Sequence, residues 1–113
     1  MISQGDIWWA NLPRPVASEP GHRRPVVVVQ CERITRSRIQ TVLCVVLTTN
    51  LRLAEAPGNV YLSKVETGLP EHSVANVSQL ATVNKSHLTD QAGRLSPPLL
   101  ELVIHGVLGT LGR

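Results

Sequence analysis

Aromatic side chains are scarce in this 113-residue sequence, which contains two Trp, one Tyr and no Phe. Domains of the RRM type stack RNA bases on several aromatic side chains, so this class is excluded. The unbroken apolar runs are only a few residues long, whereas a membrane-spanning helix needs about 20 apolar residues. The N-terminal residues lack a basic segment followed by an apolar one, so no signal peptide is expected. We therefore expect a cytoplasmic protein with no membrane partner.

Cysteines are also few: Cys31 and Cys44 are the only two. Both lie beside strand-like apolar runs, where a free thiol usually behaves as a small buried apolar group. The sequence contains neither a CxxC pair nor a Cys/His cluster, so it does not predict a structural zinc site. No HExxH, paired carboxylates or glycine-rich phosphate loop is present either. The sequence therefore predicts neither a bound metal nor a cofactor.

Positive charge is concentrated in one stretch of the chain. The net charge is +3, yet residues 14–38 contain six Arg against two Glu, and residues 60–113 are balanced. Nine of the eleven basic residues are Arg, whose planar guanidinium suits bidentate binding of phosphate. We therefore expect a polyanionic partner, with a solvated basic loop as the alternative.

The hydrophobic pattern predicts strands along most of the chain. The predicted strands are GDIWWANL, RPVVVVQ, TVLCVVLTT, NVYLSKV and VANVSQLATV. In the first of these, Trp8 and Trp9 are adjacent and must face opposite sides of a sheet. The polar segment ERITRSRIQ is expected to be a turn or an exposed hairpin end, and KSHLTD a single helical turn.

The last fifth of the chain has a helical pattern. Ser96 is the predicted N-cap of this helix, and Pro97 fits its first turn. Gly106 and Gly109 are expected to weaken this helix by about 1 kcal/mol each relative to Ala. About five short strands and one helix predict one domain, residues 1–113, of the α+β class: a small, mostly antiparallel barrel or sandwich.

An arginine pair stands where a proline-rich loop meets the second predicted strand. Arg24 is followed by Pro25, which restricts its backbone and places it at the mouth of a buried strand. A guanidinium there could bind phosphate or stabilise the charge that develops during phosphoryl transfer. The alternative is a surface arginine at a loop–strand junction, and the same choice applies to Arg23.

Thr48, Thr49 and Asn50 end the next buried strand. Hydroxyls at such a position can bond a phosphate oxygen, and they also cap turns. If the two strands are neighbours, they bring an arginine and a threonine to one edge of the sheet.

The first loop adds Ser18, Glu19 and His22. Glu19 could orient Arg24, accept a proton or bind a base edge. His22 has a pKa suited to proton transfer near neutral pH. A solvated role is the alternative for each.

The chain resembles the MazF/PemK-like toxins of bacterial type II toxin–antitoxin systems. The matching segments, in order, are GDIWWANL, SEPGHRRPVVVVQ, TVLCVVLTTN, PGNVYL, TGLPEHSVANVSQ and GRLSPPLLELV. The resemblance implies an SH3-like barrel of the CcdB/PemK type with a C-terminal helix, assembled as a homodimer. It also implies a cognate acidic antitoxin, with which the toxin can bind DNA.

The resemblance further implies a metal-independent endoribonuclease that cuts single-stranded RNA at short sequences. The substrate would be mRNA, with tRNA or rRNA as alternatives. The resemblance implies that Arg24 and Thr48 are the catalytic residues, because they stand at the positions of the family's catalytic arginine and threonine. The residues expected to contact RNA are Ser18, Glu19, Arg23, Asn50 and Gln79.

The expected chemistry is attack by the RNA 2′-hydroxyl, which leaves 2′,3′-cyclic phosphate and 5′-hydroxyl ends. Glu19, His22 and water are the candidates for proton transfer. Two other functions remain open for this fold: a CcdB-like toxin that binds DNA gyrase, and a non-catalytic SH3-like module that binds RNA or peptide.

Overall fold

The computed structural model describes residues 1–12 and 23–113. The strands within these ranges are β1 (Asp6–Asn11), β2 (Arg23–Val28), β3 (Thr41–Thr48), β4 (Val60–Leu62), β5 (Ser73–Asn84) and β6 (Leu88–Arg94). The helices are α1 (Glu32–Thr35), α2 (Lys64–Thr67) and α3 (Pro97–Thr110), with short 3-10 helices at Leu51–Glu55 and Lys85–His87. None of the described helices is long and apolar enough to span a bilayer.

The six strands form one antiparallel sheet in the order β4-β5-β3-β2-β1-β6. The sheet curls into a half-barrel and carries the C-terminal helix, which confirms the predicted fold class. Helix α2 follows the edge strand β4 and reaches across to the opposite edge. There Gly68 adopts φ +78°, and a Cβ at this position would overlap the carbonyl oxygen of Ala92 in β6. Only glycine fits this close approach.

Side-chain alternation along the central strands produces two buried apolar clusters. The first contains residues of the sheet and of α3, among them Val27, Val45, Leu47, Val103 and Val107. The second contains Val26, Val28, Val42, Cys44 and Val46. Trp9 packs against the first cluster and Trp8 against the second, so the prediction that they face opposite sides is confirmed.

The two cysteines differ in environment. Cys44 is fully buried in β3, and burial raises the pKa of its thiol to about 12. Cys31 is exposed, so the expectation that both thiols are buried is wrong for this residue. The reason is local: β2 ends at Val28, and the chain then turns outward into α1.

Two polar segments were only partly predicted. ERITRSRIQ contains the short helix α1 rather than a simple turn. KSHLTD begins with the expected helical turn at Lys85–His87, but Leu88 already starts β6, which was missed. Strand β6 is an edge strand with mostly exposed or half-buried residues, so it lacks the apolar alternation that reveals a strand.

The two glycines of α3 have different surroundings. A Cβ on Gly106 would overlap the carbonyl oxygen of Gly58, whereas a Cβ on Gly109 would meet nothing within 4 Å. Gly106 therefore allows α3 to approach the loop before β4, and its low helix propensity is the cost of that contact. Ser96 occupies the predicted N-cap position, but its side chain makes no capping hydrogen bond.

Candidate active site at the rim of β2 and β3

Neighbouring antiparallel strands bring the predicted arginine and threonine together. Strands β2 and β3 pair with Val26 opposite Val46 and Val28 opposite Cys44. Continued by two residues, this register puts Arg24 opposite Thr48. The Arg24 guanidinium donates a hydrogen bond through Nη2 to the carbonyl oxygen of Leu47 at 3.2 Å, so it lies at the end of β3. We call Arg23, Arg24, Thr48 and Thr49 the rim.

Thr48 and Asn50 organise the turn that leaves the rim. Thr48 is only 2% exposed, and its Oγ1 accepts a hydrogen bond from the Asn50 backbone N–H at 3.1 Å. The Asn50 side chain in turn accepts from the backbone N–H of Arg52 at 3.3 Å and caps the following 3-10 helix. Both residues therefore have the turn-capping role that was the alternative to phosphate binding. For Thr48, that role also fixes the hydroxyl at the end of β3.

Arg23 is held by two contacts at the same edge. Its Nη2 lies 2.7 Å from Oδ2 of Asp90, and its guanidinium carbon lies 4.6 Å from the centroid of a Trp9 ring. Trp9 and Asp90 are register partners in β1 and β6, so two adjacent strands position this cation. About half of the Arg23 side chain remains exposed.

A pocket of about 220 Å³ opens beside the rim. Its lining residues are Trp9, Arg23, Arg24, Pro25, Leu47, Thr49, Leu69, Pro70, Glu71 and Ser73. Glu71 and Ser73 were not predicted as site residues. They adjoin the rim because β5 pairs with β3, with Val74 opposite Thr48, and no local sequence pattern reveals that pairing.

Comparison with known proteins identifies the family. The model of the PemK-like, MazF-like toxins of type II toxin–antitoxin systems matches residues 3–108. The chain is 43% identical over 107 residues to endoribonuclease MazF6 of Mycobacterium tuberculosis, an alignment that covers 95% of this chain and 94% of the relative. This chain belongs to the PemK/MazF toxin family.

More distant relatives agree with this placement. Endoribonuclease EndoA of Bacillus subtilis is 29% identical over 103 residues, which cover 91% of this chain and 88% of EndoA. A mycobacterial endoribonuclease solved with its cognate antitoxin has a TM-score of 0.80 at 21% identity, with 99% of this chain and 96% of that one covered. MazF from Deinococcus radiodurans has a TM-score of 0.78 at 18% identity, with 99% and 97% covered. These structures share the fold of the PemK/MazF chain described here.

Gln79 of this PemK/MazF chain lies in a bulge of β5. The register passes from Val46 opposite Asn76 to Val45 opposite Leu80, so residues 77–79 are looped out. The Gln79 Oε1 accepts a hydrogen bond from the Asn76 side chain at 3.1 Å. Among the described residues, neither Gln79 nor Asn50 lines the rim pocket. Ser18, Glu19 and His22 lie outside the described residues.

The basic stretch divides between two ends of the toxin's central strands. Arg23 and Arg24 stand at the start of β2, whereas the arginines of residues 33–38 follow its other end. At ~3.3 Å per residue, β2 alone separates these groups by roughly 16 Å. The described arginines of the basic stretch therefore form two groups, and only one of these groups borders the predicted site.

Two further features of this PemK/MazF chain bear on the predictions. A groove of about 450 Å³ lies between α3 and the loop before β4, and exposed His105 lines it. None of the predicted site residues lines this groove. In the described ranges, no group of three or more His, Cys, Asp or Glu side chains is arranged to hold a metal ion.

Proposed function

We propose that this MazF-type endoribonuclease toxin cleaves single-stranded RNA at the rim, where Arg24 and Thr48 bind the reacting phosphate. The observation that carries the proposal is the position of the Arg24 guanidinium at the end of β3, within hydrogen-bonding distance of the residue before Thr48. The curated relatives are named endoribonucleases. Together these points favour RNA cleavage over the gyrase-binding and the non-catalytic alternatives.

RNA brings its own nucleophile to this reaction. The 2′-oxygen forms a bond to the adjacent phosphorus while the bond from phosphorus to the 5′-oxygen breaks. The 2′-hydroxyl proton passes to a base, and the departing 5′-oxygen takes up a proton. The products are a 2′,3′-cyclic phosphate and a 5′-hydroxyl. The protein must align these atoms and stabilise the pentavalent anion.

Arg24 and Thr48 align the reacting atoms and stabilise the pentavalent anion. The Arg24 guanidinium can bind two non-bridging oxygens of one phosphate, and its pKa above 12 keeps it charged rather than a proton donor. The Thr48 hydroxyl fixes the same phosphate. Proton transfer is assigned to Glu19, His22 or water. Flanking RNA contacts are assigned to Ser18, Glu19, Arg23, Asn50 and Gln79.

The proposal extends to partners and conditions. We expect a homodimer built from one domain, residues 1–113, that acts in the cytoplasm without a metal ion or cofactor. A structural relative is a complex of an endoribonuclease with its cognate antitoxin. For this chain we expect an acidic antitoxin segment that competes with RNA phosphates for the basic rim.

The chemistry is tested with two end-labelled RNA oligonucleotides. One is unmodified and contains a cleaved site, and the other carries a single 2′-deoxynucleotide 5′ to that site. In EDTA, the unmodified RNA should give fragments with 2′,3′-cyclic phosphate and 5′-hydroxyl ends, and the modified RNA should stay intact. Cleavage of the deoxy substrate, or strict dependence on Mg²⁺, would overturn the mechanism. Absence of cleavage under all conditions would overturn the activity itself.

A further inference from the structure

The lining of the rim pocket includes residues that the phosphate chemistry does not use. Besides Arg24 and Thr49, its lining includes Leu69, Pro70 and Glu71. Building on the proposed function, we propose that this pocket is a nucleobase subsite beside the scissile phosphate. In it, Glu71 selects a base that carries an exocyclic amino group over uracil.

The walls of the pocket suit a flat heteroaromatic ring. Pro25, Leu47, Leu69 and Pro70 contribute apolar surface. The Arg23 guanidinium is stacked over Trp9 and is itself held by Asp90. Splayed-out RNA bases stack on aromatic rings and on guanidinium planes, and here both planes are fixed before a ligand arrives.

Glu71 gives the pocket its selectivity. It is exposed, and it is the one carboxylate among the described residues that line the pocket. An ionised carboxylate only accepts hydrogen bonds. Cytosine, adenine and guanine each offer an amino group, whereas uracil presents a carbonyl oxygen where cytosine has its amine. A carboxylate therefore attracts the amino bases and repels the uracil carbonyl.

The chain geometry ties this selection to the reacting phosphate. Glu71 precedes β5, in which Val74 lies opposite Thr48. The Ser73 hydroxyl donates a hydrogen bond to the Glu71 backbone carbonyl at 3.3 Å, which restrains the segment. Because Arg24 lines the same pocket, a base in it belongs to a nucleotide that adjoins the bound phosphate.

The test uses wild type, Glu71→Gln and the control Glu101→Gln, which removes the charge of an exposed glutamate on α3. Each protein cleaves a randomised single-stranded RNA pool in EDTA, and the ends are sequenced. Wild type should disfavour uracil at one position next to the cut, by about fivefold to a hundredfold. Glu71→Gln should reduce that preference at this position alone, because its amide can donate to uracil. Glu101→Gln should match wild type.

A binding measurement separates failure of this inference from failure of the proposed function. Oligocytidine and oligouridine of equal length, both with 2′-deoxy sugars, are titrated by fluorescence anisotropy. Wild type should bind the cytidine oligomer more tightly, and Glu71→Gln should narrow the difference. Unchanged preference in both assays with Glu71→Gln would overturn the base subsite while leaving cleavage intact. Altered binding preference without any RNA cleavage would overturn the proposed function instead.

Discussion

Under the proposed function, the two ends of the β2–β3 strand pair use similar polar residues for different purposes. At the rim, Arg24 and Thr49 line an open pocket, and Arg24 donates to the carbonyl oxygen of Leu47, the residue before Thr48. At the far end, where β2 leads through α1 into β3, polar side chains are bonded to the protein itself. The Gln30 side chain donates to the Thr35 hydroxyl at 3.1 Å and accepts from the Leu43 backbone N–H at 3.2 Å.

Other polar side chains at the far end are also bonded to the protein itself. Glu32 accepts a hydrogen bond from the Gln4 backbone N–H at 2.6 Å and pairs with Arg36 at 2.8 Å. The Lys85 ammonium donates to the Thr35 carbonyl oxygen at 2.6 Å. Residue type alone therefore does not distinguish a functional site from polar contacts that stabilise the fold. Polar groups at both ends bond to the backbone of their own chain and line a pocket. What sets the rim apart is that the strand register puts Arg24 beside Thr48.

The largest effect should come from removing the rim cation. Arg24→Ala should lower the single-turnover rate of RNA cleavage by about 10²–10³-fold, equivalent to roughly 3–4 kcal/mol, by analogy with loss of an oxyanion donor. Arg24→Lys should recover only part of the rate, since an ammonium lacks the planar fork.

The matched control is Arg33→Ala, which removes an exposed arginine of α1 at the far end. It should cleave within about twofold of wild type, because surface substitutions of this kind have small effects. Equal loss of activity in both variants would show that net charge, rather than position at the rim, controls the rate.

The hydrogen bonds of the Gln30 side chain at the far end should affect stability rather than RNA cleavage. Gln30→Ala removes the acceptor for the Leu43 N–H, so the free energy of unfolding should fall by about 1–3 kcal/mol. Denaturant titration measures this change, and cleavage per folded molecule should be unchanged. Gln40→Ala, at an exposed position of the same end, should stay within about 0.5 kcal/mol of wild type. A cleavage defect in folded Gln30→Ala would contradict the division between the two ends.

The smallest predicted effect is a change in the stability of the fold at acid pH. The hydrogen bond from the Gln4 backbone, and then the contact with Arg36, lower the pKa of Glu32 below its ordinary value of 4.5. Its stabilising contribution is therefore present above pH 4.5 and is lost as the pH falls through the lowered pKa.

The expected result is a stability difference between wild type and Glu32→Gln that shrinks below pH 4.5. Denaturant titrations at several pH values measure it, with Glu101→Gln as the reference. A difference that persists or grows in acid would show that the Glu32 contacts do not depend on its charge.

The central strands and the rim could be predicted because the relevant signals are local. Runs of β-branched residues mark buried strands, and consecutive antiparallel strands bring the start of one beside the end of the next, as Arg24 and Thr48 illustrate. Glu71 could not be found this way, because it reaches the rim through pairing of β3 with the distant β5. Gly106 was predicted only as a helix-weakening residue because its partner, Gly58, is distant in sequence.

The most direct test of the account compares the two threonines that bound β3. Thr48→Val and Thr41→Val each remove one hydroxyl and keep a β-branched side chain of similar size. The measurement is the single-turnover cleavage rate of one RNA in EDTA, with folding checked by circular dichroism. We expect Thr48→Val to be slower by about tenfold or more, the loss of one hydrogen bond to a charged group, and Thr41→Val to match wild type. Equal rates for folded Thr48→Val and wild type would contradict the assignment of the active site to the rim.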